Sequence, residues 1–600
     1  TDIKGWNIKY YKGLGTSTKN EFVEYFEEKR FVGFEHTQSS DDAIDMVFNK
    51  KRADDRKEWL ENVYDRESYV DTSKPMITYE EFINKELIHF SKYDCDRSIP
   101  NLMDGQKISL RKILYSSFKK RLTSEIKVAQ FSGYVSEHSC YHHGEESLNQ
   151  AIVGMAQNFV GSNNINLLVP SGQFGSRIKG GKDASSPRYI FTCLEKITRC
   201  IFMEQDDHVL KYLSDDGTPV EPQFYVPIIP MVLVNGSKGI GTGFSTEIMC
   251  YNPKDIIAYL KDKLSNTSHT VEEFMPYYEG FNGSISKVGD TRYLFKGTYE
   301  KLGPDKIRVT ELPIGFWTED FKELLEELEE EQVEKDKGKD KEKDKETGKK
   351  KTTPYVKEYD DKSKDTNVDF IITFNKGKLE ELEQAKGDYG CNGVEKVLKL
   401  YNTSSTTNMN LFNADDKLTK YNAVSEIIDD FYGVRLVYYG KRKAYLIDVL
   451  EKELVILSNK VRYIQEVLSG SIDLRKKKKD EIIKLLQDKG YQKIVMGDAL
   501  VVDEEYKYLV KMPMDAVSEE NVDKLMNEHK RKQQELVEIK ATTCQQMWLR
   551  ELVALEQEYM NYRKERDVAI NGLTKGKSSV VVKSKVTKKV GGKKFQLEEV

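Results

Sequence analysis

Aliphatic residues recur at steps of three and four after about Tyr421: Leu446, Leu450, Leu454, Leu457, Val461, Ile464 and Leu468. This is the spacing of a coiled-coil seam, an apolar stripe that needs a partner helix to cover it. A second helical stretch, roughly Val522 to Lys564, carries Leu525, Leu536, Ile539, Leu549 and Leu552. With a smaller insert between them, the two predict a long antiparallel arm over residues 426–570.

An arm cannot be the whole molecule. The chain has 600 residues, 38% of them apolar, too many for one ordinary core, so several domains are expected. Residues 1–60 read as a short strand, a KGLG turn and a helix with Phe22, Tyr25 and Phe26 at helical spacing, and 61–94 as a linker. Helices alternate with glycine-rich loops over 95–219. From 220 to 425 short β-branched runs such as RVTEL and FIITF are separated by turn residues, an α+β pattern. A disordered insertion at 330–365 is expected there, because EKDKGKDKEKDKETGKKK (Glu334 to Lys351) has no apolar residue to bury. Residues 571–600 read as a basic, flexible tail.

Bulk composition excludes some classes. No apolar run of about 18 residues exists, so no membrane span is expected. Seven scattered cysteines without a C-x-x-C pair suggest a reducing compartment and no structural zinc. The chain opens at Thr1 with no charged-then-apolar leader, which suggests a piece of a longer protein rather than a secreted precursor. The net charge of −5 hides segregation: acidic ELLEELEEE (Glu323 to Glu331) contrasts with basic KKRADDRK (Lys50 to Lys57), SLRK, KKRL and the tail. Local field, not total charge, decides whether a phosphate backbone can dock.

Four stretches carry candidate chemistry. In SIPNLMDGQKISLRKILYSSFKKRL (Ser98 to Leu122), Leu110, Ile113, Leu114, Ser117 and Phe118 share one helical face, while Arg111, Lys112, Lys119, Lys120 and Arg121 stay off it. Such a helix either offers cations to DNA phosphates or is merely solvated on its basic side. In CYHHGEESL (Cys140 to Leu148), adjacent His142 and His143 cannot share a helical face and lack a carboxylate at metal-helix spacing, so zinc is not expected. Tyr141, His143 and Ser147 suit hydrogen bonds to phosphate oxygens, or a structural role. In GGKDASSPRYIFT (Gly180 to Thr192), Tyr189 follows Arg188 directly. A phenol, with a pKa of about 10, is a poor nucleophile unless a cation or base assists it. Arg188 supplies a fixed cation that can hold a phosphoryl oxygen as charge builds, and Arg177, Lys179 and Lys182 add positive field. With 34 tyrosines in the chain, a core role for Tyr189 stays open. In PIIPMVLVNGSKGIGTGFS (Pro227 to Ser245) the glycines do not match G-x-G-x-x-G. Ile240, between glycines after a buried strand, is either a turn residue tucked into the core or a wedge between base pairs.

Together with YYKGLGTS (Tyr10 to Ser17), DDRKEWL (Asp54 to Leu60), INKELIHFS (Ile83 to Ser91), AQNFVGSNNINLL (Ala156 to Leu168) and GQFGSR (Gly172 to Arg177), these segments resemble the type IIA DNA topoisomerases, specifically topoisomerase II of eukaryotes and some large viruses. They stand in the family's order over about 570 residues. One chain carries both KGLG and SIP-x-x-x-DG-x-K, as in the fused, single-chain form rather than the two-subunit bacterial one.

The resemblance implies a multidomain α+β fold: the C-terminal part of a TOPRIM domain (1–60), a winged-helix domain with the catalytic tyrosine (95–219), a mixed α/β tower (220–425) and a coiled-coil exit gate (426–570). It implies the DNA breakage-reunion core of an ATP-dependent enzyme. Tyr189 would attack a backbone phosphorus, leaving a 5′-phosphotyrosyl link, and Arg188 would stabilise the transition state. A homodimer would cut one duplex and pass a second. By similarity Arg56, Lys57, Lys107, Arg111, Tyr141, His142, His143, Ser147 and Trp317 lie against DNA, with Lys399, Asn402 and Thr403 of KLYNTSSTTN along its flank, and Ile240 is the bending wedge. Magnesium is implied as cofactor. Its ligands, a glutamate and an Asp-x-Asp pair, precede YYKGLG in the family, so no metal ligand is expected here, and the ATP site is likewise elsewhere. A nuclear address is expected from KSKVTKK (Lys583 to Lys589), or a viral replication site in a viral protein. Two departures stand out: KISLR replaces the usual Lys-Pro-Gly-Gln-Arg, and Gly315 stands where arginine is common. The competing expectation is a DNA-bending clamp that no longer cuts; retention of both Arg188 and Tyr189 speaks against it.

Overall fold

The structure, a computed structural model, describes residues 9, 14–29, 31–215, 217–268, 270–329, 332–333, 351–352, 354–475, 477–496, 501–502 and 506–574. The expected first strand, the charged run 334–350 and the basic tail lie outside the described residues. The fold is mixed α/β, with several separate cores, as the chain length requires.

The first part comprises α1 (Lys19–Glu27), β1 (Gly33–Glu35), α2 (Ser40–Phe48), α3 (Ala53–Asn62), β2 (Met76–Thr78), α4 (Tyr79–Phe82) and, after a π turn at Ile83–Leu87, α5 (Ile88–Ser98). The expected linker at 61–94 is thus mostly structured. β2 pairs in parallel with β1, and Ile83 and Ile88 bury against Trp59 and Leu60 of α3.

Next, α6 (Ile108–Lys120), α7 (Val128–Ser139) and α8 (Glu145–Ala156) pack together, flanked by β3 (Ile126–Lys127) paired with β4 (Phe191–Thr192), by α9 (Thr198–Ile201), and by β5 (Tyr212–Asp215) paired with β6 (Thr218–Pro222). The expected face of α6 is inward: Ile113, Leu114, Ser117 and Phe118 are buried. KISLR forms a normal helix start, with Lys107 extended at the N-cap, so the missing proline and glycine leave the helix intact. The apolar run before Ile240 is a short helix, α10 (Met231–Asn235), not a strand; so short a buried run has no periodicity to separate the two. It leads into the hairpin of β7 (Ser237–Ile240) and β8 (Ser245–Ile248), then α11 (Pro253–Ser265).

Two antiparallel sheets follow. One runs β17 (Tyr401–Ser405), β10 (Arg292–Lys296), β9 (Ser284–Lys287); the other runs β11 (Thr298–Gly303), β12 (Lys306–Glu311), β16 (Phe370–Phe374), β15 (Val356–Asp361), covered by α12 (Thr318–Glu329). The disordered insertion expected at 330–365 therefore ends too late. Val356 is buried, β15 pairs with β16, and the Tyr359 hydroxyl donates to Glu326 at 3.0 Å. Its many charges belong to an edge strand whose polar face meets water.

The helix α15 (Val424–Leu468) is 45 residues long and lies antiparallel to α18 (Glu519–Ala541). Leu450 and Leu454 pack on Leu536, and further out Tyr463 and Ile464 pack with Val522. The pairs Glu451–Lys540 and Glu453–Lys532, both 2.6 Å, set the direction. Leu468 leaves the seam: it is 49% exposed at the helix end, where the chain turns. The second helical stretch is broken at Thr542–Thr543, and α19 (Cys544–Thr574) begins there. Thr543 Oγ1 accepts from Gln546 N and Gln546 Oε1 accepts from Thr543 N, a reciprocal cap. Leu549 and Leu552 consequently join the largest core around Trp548, not the arm. No described helix is long and apolar enough to cross a membrane.

Candidate active site

The first N–H groups of a helix have no partner within it. In α7 two of these are used on the tyrosine segment: Val128 N donates to Ile190 O at 3.0 Å and Ala129 N to Pro187 O at 3.1 Å. Ser171 and Phe191 exchange both backbone hydrogen bonds, at 3.1 and 2.9 Å, and Ile190 is buried. The backbone is thus fixed on both sides of Arg188–Tyr189 while the side chains point outward. Tyr189 is 72% exposed in a turn ahead of β4, with Arg188 Cζ 5.9 Å from its ring centroid. It is neither a core aromatic nor the start of a helix.

The neighbouring cations differ from expectation. Arg177 is buried and paired with Glu311, and Lys179 pairs with Glu319 at 2.8 Å, so neither adds free positive field; Lys182 is exposed. Trp317 sits on the tyrosine loop, where a Cβ on Gly180 would come within 2.4 Å of its ring. Asn402 donates to Ile314 O at 2.7 Å, tying β17 to the segment that carries Trp317, while Lys399 and Thr403 are exposed. Gly315 has φ +82°, a left-handed conformation that explains glycine in place of arginine.

A second group surrounds the β7–β8 hairpin. Ile240 is 78% exposed at its end, which excludes the core alternative. Lys107 Nζ donates to Lys238 O at 2.8 Å, and a Cβ on Gly243 would meet Arg56 Cβ at 3.0 Å, so Arg56, Lys57 and Lys107 border the hairpin. Burial pushes the Lys107 pKa down.

A third group lines a cleft of about 160 Å³: Tyr141, His142, His143 and Ser147, with Lys112 and two residues the sequence reasoning passed over, Tyr93 and Arg97. Tyr93 Oη lies 2.7 Å from His143 Nε2, and His142 Nε2 lies 2.7 Å from Asp215. Burial, then the charges of Arg97, His142 and Lys112, lower the His143 pKa. The available signal for Tyr93 and Arg97 was their i, i+4 spacing inside two of the recognised motifs.

Arg111 belongs to none of these groups. It is buried, with Nε 2.6 Å from Asp104 Oδ2 and Nη2 donating to Gln106 O at 3.0 Å. Its assignment to DNA is corrected: the guanidinium is consumed inside the fold. Among the described residues no group of three His, Cys, Asp or Glu side chains could hold a metal ion, so the magnesium implied by the resemblance finds no ligand set there.

Residues 97–553 match the family profile of the A-type chain of DNA gyrase/topoisomerase IV, and 1–95 match "C-terminal associated domain of TOPRIM". The chain belongs to the type IIA DNA topoisomerases. Among its relatives, DNA topoisomerase 2 of Plasmodium falciparum is 42% identical over 93% of this chain and 40% of that protein. DNA topoisomerase 2-alpha of Rattus norvegicus is 38% identical over the whole chain and 40% of the relative. The chain thus spans about 40% of such relatives' length. It also resembles the crystal structure of the Plasmodium falciparum topoisomerase II DNA-binding, cleavage and re-ligation domain, with TM-score 0.80 and 42% identity over 95% of this chain and 77% of that one. This type IIA topoisomerase chain is of the eukaryotic kind and corresponds to the DNA breakage-reunion core.

Proposed function

We propose that the chain cuts and rejoins duplex DNA through Tyr189 within a larger, ATP-dependent topoisomerase II that acts as a homodimer. The observation that carries this is an exposed phenol beside Arg188 on backbone anchored to the start of α7. Tyr189 Oη attacks a backbone phosphorus; the new P–O bond forms as the bond to the 3′-oxygen breaks, leaving a 5′-phosphotyrosyl link and a 3′-hydroxyl. Arg188 holds a non-bridging oxygen as charge builds on it. Because one phosphodiester replaces another, the 3′-hydroxyl reverses the step without further energy input. Two protomers make the staggered break through which a second duplex passes.

The remaining assignments follow from position. Arg56, Lys57, Lys107, Tyr141, His142, His143 and Ser147 contact phosphates, Trp317, Lys399, Asn402 and Thr403 follow the flank, and Ile240 inserts as the wedge. Arg97 joins them from the histidine cleft. Residues 95–219 serve as the winged-helix domain, 220–425 as the tower and the α15–α18 arm as the exit gate. The site of action is the nucleus, or a viral replication site.

The test is to trap the full-length protein on supercoiled DNA with magnesium. A covalent adduct is expected with wild type and none with Tyr189→Phe; an undiminished adduct in that variant refutes the assignment.

A further inference from the structure

We infer that Asp183 and Glu311 are positioning residues for Tyr189, acting through the two-residue segment Ser176–Arg177. This rests on Tyr189 being the nucleophile. Asp183 lies in the loop that leads into Tyr189; its Oδ1 accepts from Ser176 N at 2.8 Å and its Oδ2 from Ser176 Oγ at 2.6 Å. Gly181 N donates to Ser176 O at 2.8 Å and Ser185 N to Gln173 O at 2.9 Å, so two strandless loops are laced along their length. They touch too closely for a side chain between them: at Gly175, φ +94°, a Cβ would lie 2.5 Å from Gly181 O. Gln157 Nε2 bridges both, donating to Phe174 O at 2.9 Å and Gly181 O at 3.2 Å.

The next residue, Arg177, carries the connection into the sheet that follows. Its buried guanidinium is held by Glu311 at the end of β12. Glu311 is 1% exposed, and also accepts from Leu312 N at 3.0 Å and Asn282 N at 3.1 Å, so both its oxygens are committed. Glu319 N donating to Ile178 O at 3.0 Å doubles the link. The tyrosine loop is therefore clamped between α7 on one side and the β12 end on the other. A segment without helix or strand has no stiffness of its own, and a nucleophile displaced by about 1 Å can lose roughly 100-fold in rate. Neither carboxylate needs to touch DNA for this: they set where the phenol stands.

The test uses the full-length protein with magnesium, measuring the rate of covalent adduct formation, and DNA affinity separately without magnesium. Asp183→Asn and Glu311→Gln should each slow adduct formation about 10- to 100-fold while DNA affinity stays within about twofold. Ser176→Ala should fall between, and Ser176→Thr, which keeps the amide and hydroxyl, should restore the wild-type rate. Should Glu311→Gln fail to fold, the half-buried Asp183 and Ser176 series still decides. Unchanged rates in Asp183→Asn, or a rate loss matched by an equal loss of affinity, overturns the inference. If wild type forms no adduct at all, the nucleophile assignment fails and this inference with it; if wild type reacts and the variants match it, only the positioning role fails.

Discussion

Replacing Arg111 by alanine separates a structural guanidinium from a DNA contact. The substitution removes two hydrogen bonds to Asp104, at 2.6 and 3.1 Å, and one to Gln106 O at 3.0 Å. Asp104 has no solvent-accessible surface and keeps only two donors, Gln106 N at 3.0 Å and Tyr225 N at 2.9 Å. Breaking a buried pair from one side typically costs about 3–5 kcal/mol, because the surviving charge stays desolvated. The two remaining amides soften the loss, so about 3 kcal/mol is expected. Global unfolding of a multidomain chain is not two-state, so the suitable assay is hydrogen exchange of the Ile108–Lys120 amides, which reads local opening. Opening should become about 100-fold easier, and Asp104→Asn combined with Arg111→Met should recover most of it. DNA binding by folded protein should keep its salt dependence. Protection within about 0.5 kcal/mol of wild type, together with a shallower salt slope by about one ion, would falsify the buried-pair account and return Arg111 to the DNA surface.

Ile240→Ala should leave stability within about 0.5 kcal/mol, since the side chain is 78% exposed, yet reduce DNA bending in a fluorescence end-to-end assay and slow cleavage; unchanged bending removes the wedge. His143 faces Tyr93, Tyr141, Arg97, His142 and Lys112, and its pKa is lowered below the usual 6.5. It is therefore neutral at pH 7, and a bound phosphate raises its pKa, so DNA affinity should strengthen as pH falls from 7 through 6.5, by up to about tenfold per unit of that rise. His143→Gln should flatten this gain, and an identical pH slope in the variant argues against the contact. Without DNA the sign reverses: the unfolded chain takes the proton first, so His143's contribution to stability is full above 6.5 and declines as pH falls below it. Gly180→Ala, at φ +60° and 2.4 Å from the Trp317 ring, should cost about 1–2 kcal/mol of local stability and slow cleavage; wild-type hydrogen exchange there would contradict the Trp317 seat.

The arm was legible because a helix buried along one stripe repeats its apolar residues, and Leu450, Leu454, Leu457 and Ile464 all bury. Its limits were not. Leu468 fits the period but falls where the helix ends, and the Thr543–Gln546 cap that divides the second stretch is a two-residue signal inside an otherwise unbroken pattern. Likewise β15 hid in a charged neighbourhood, since an edge strand shows only half its residues to a core and its partner β16 lies beyond the next turn. Ile240 could be placed between glycines, but whether it turned inward or outward depended on how the hairpin lies on α5, where a Cβ on Gly239 would come 1.9 Å from Ser98 O.

Arg111 and Tyr189 mark where sequence spacing stops being informative. Both sit at positions that local periodicity leaves off an apolar face, and both were assigned outward on that ground. For Tyr189 the neighbouring chain supplies backbone contacts only: α7 binds the carbonyls of Pro187 and Ile190, and the phenol remains in solvent. For Arg111 the loop before its own helix folds back and delivers Asp104 to the guanidinium, with Tyr225 N completing the carboxylate's shell from more than a hundred residues away. A helical period reports which side of its own axis a residue occupies, not what the rest of the chain later lays upon that side. Charged residues are the most exposed to this error, because the chain can cover them cheaply whenever it brings a counter-charge along. Asp104 is such a counter-charge, and it stands within the same DGQK motif that drew attention to the helix.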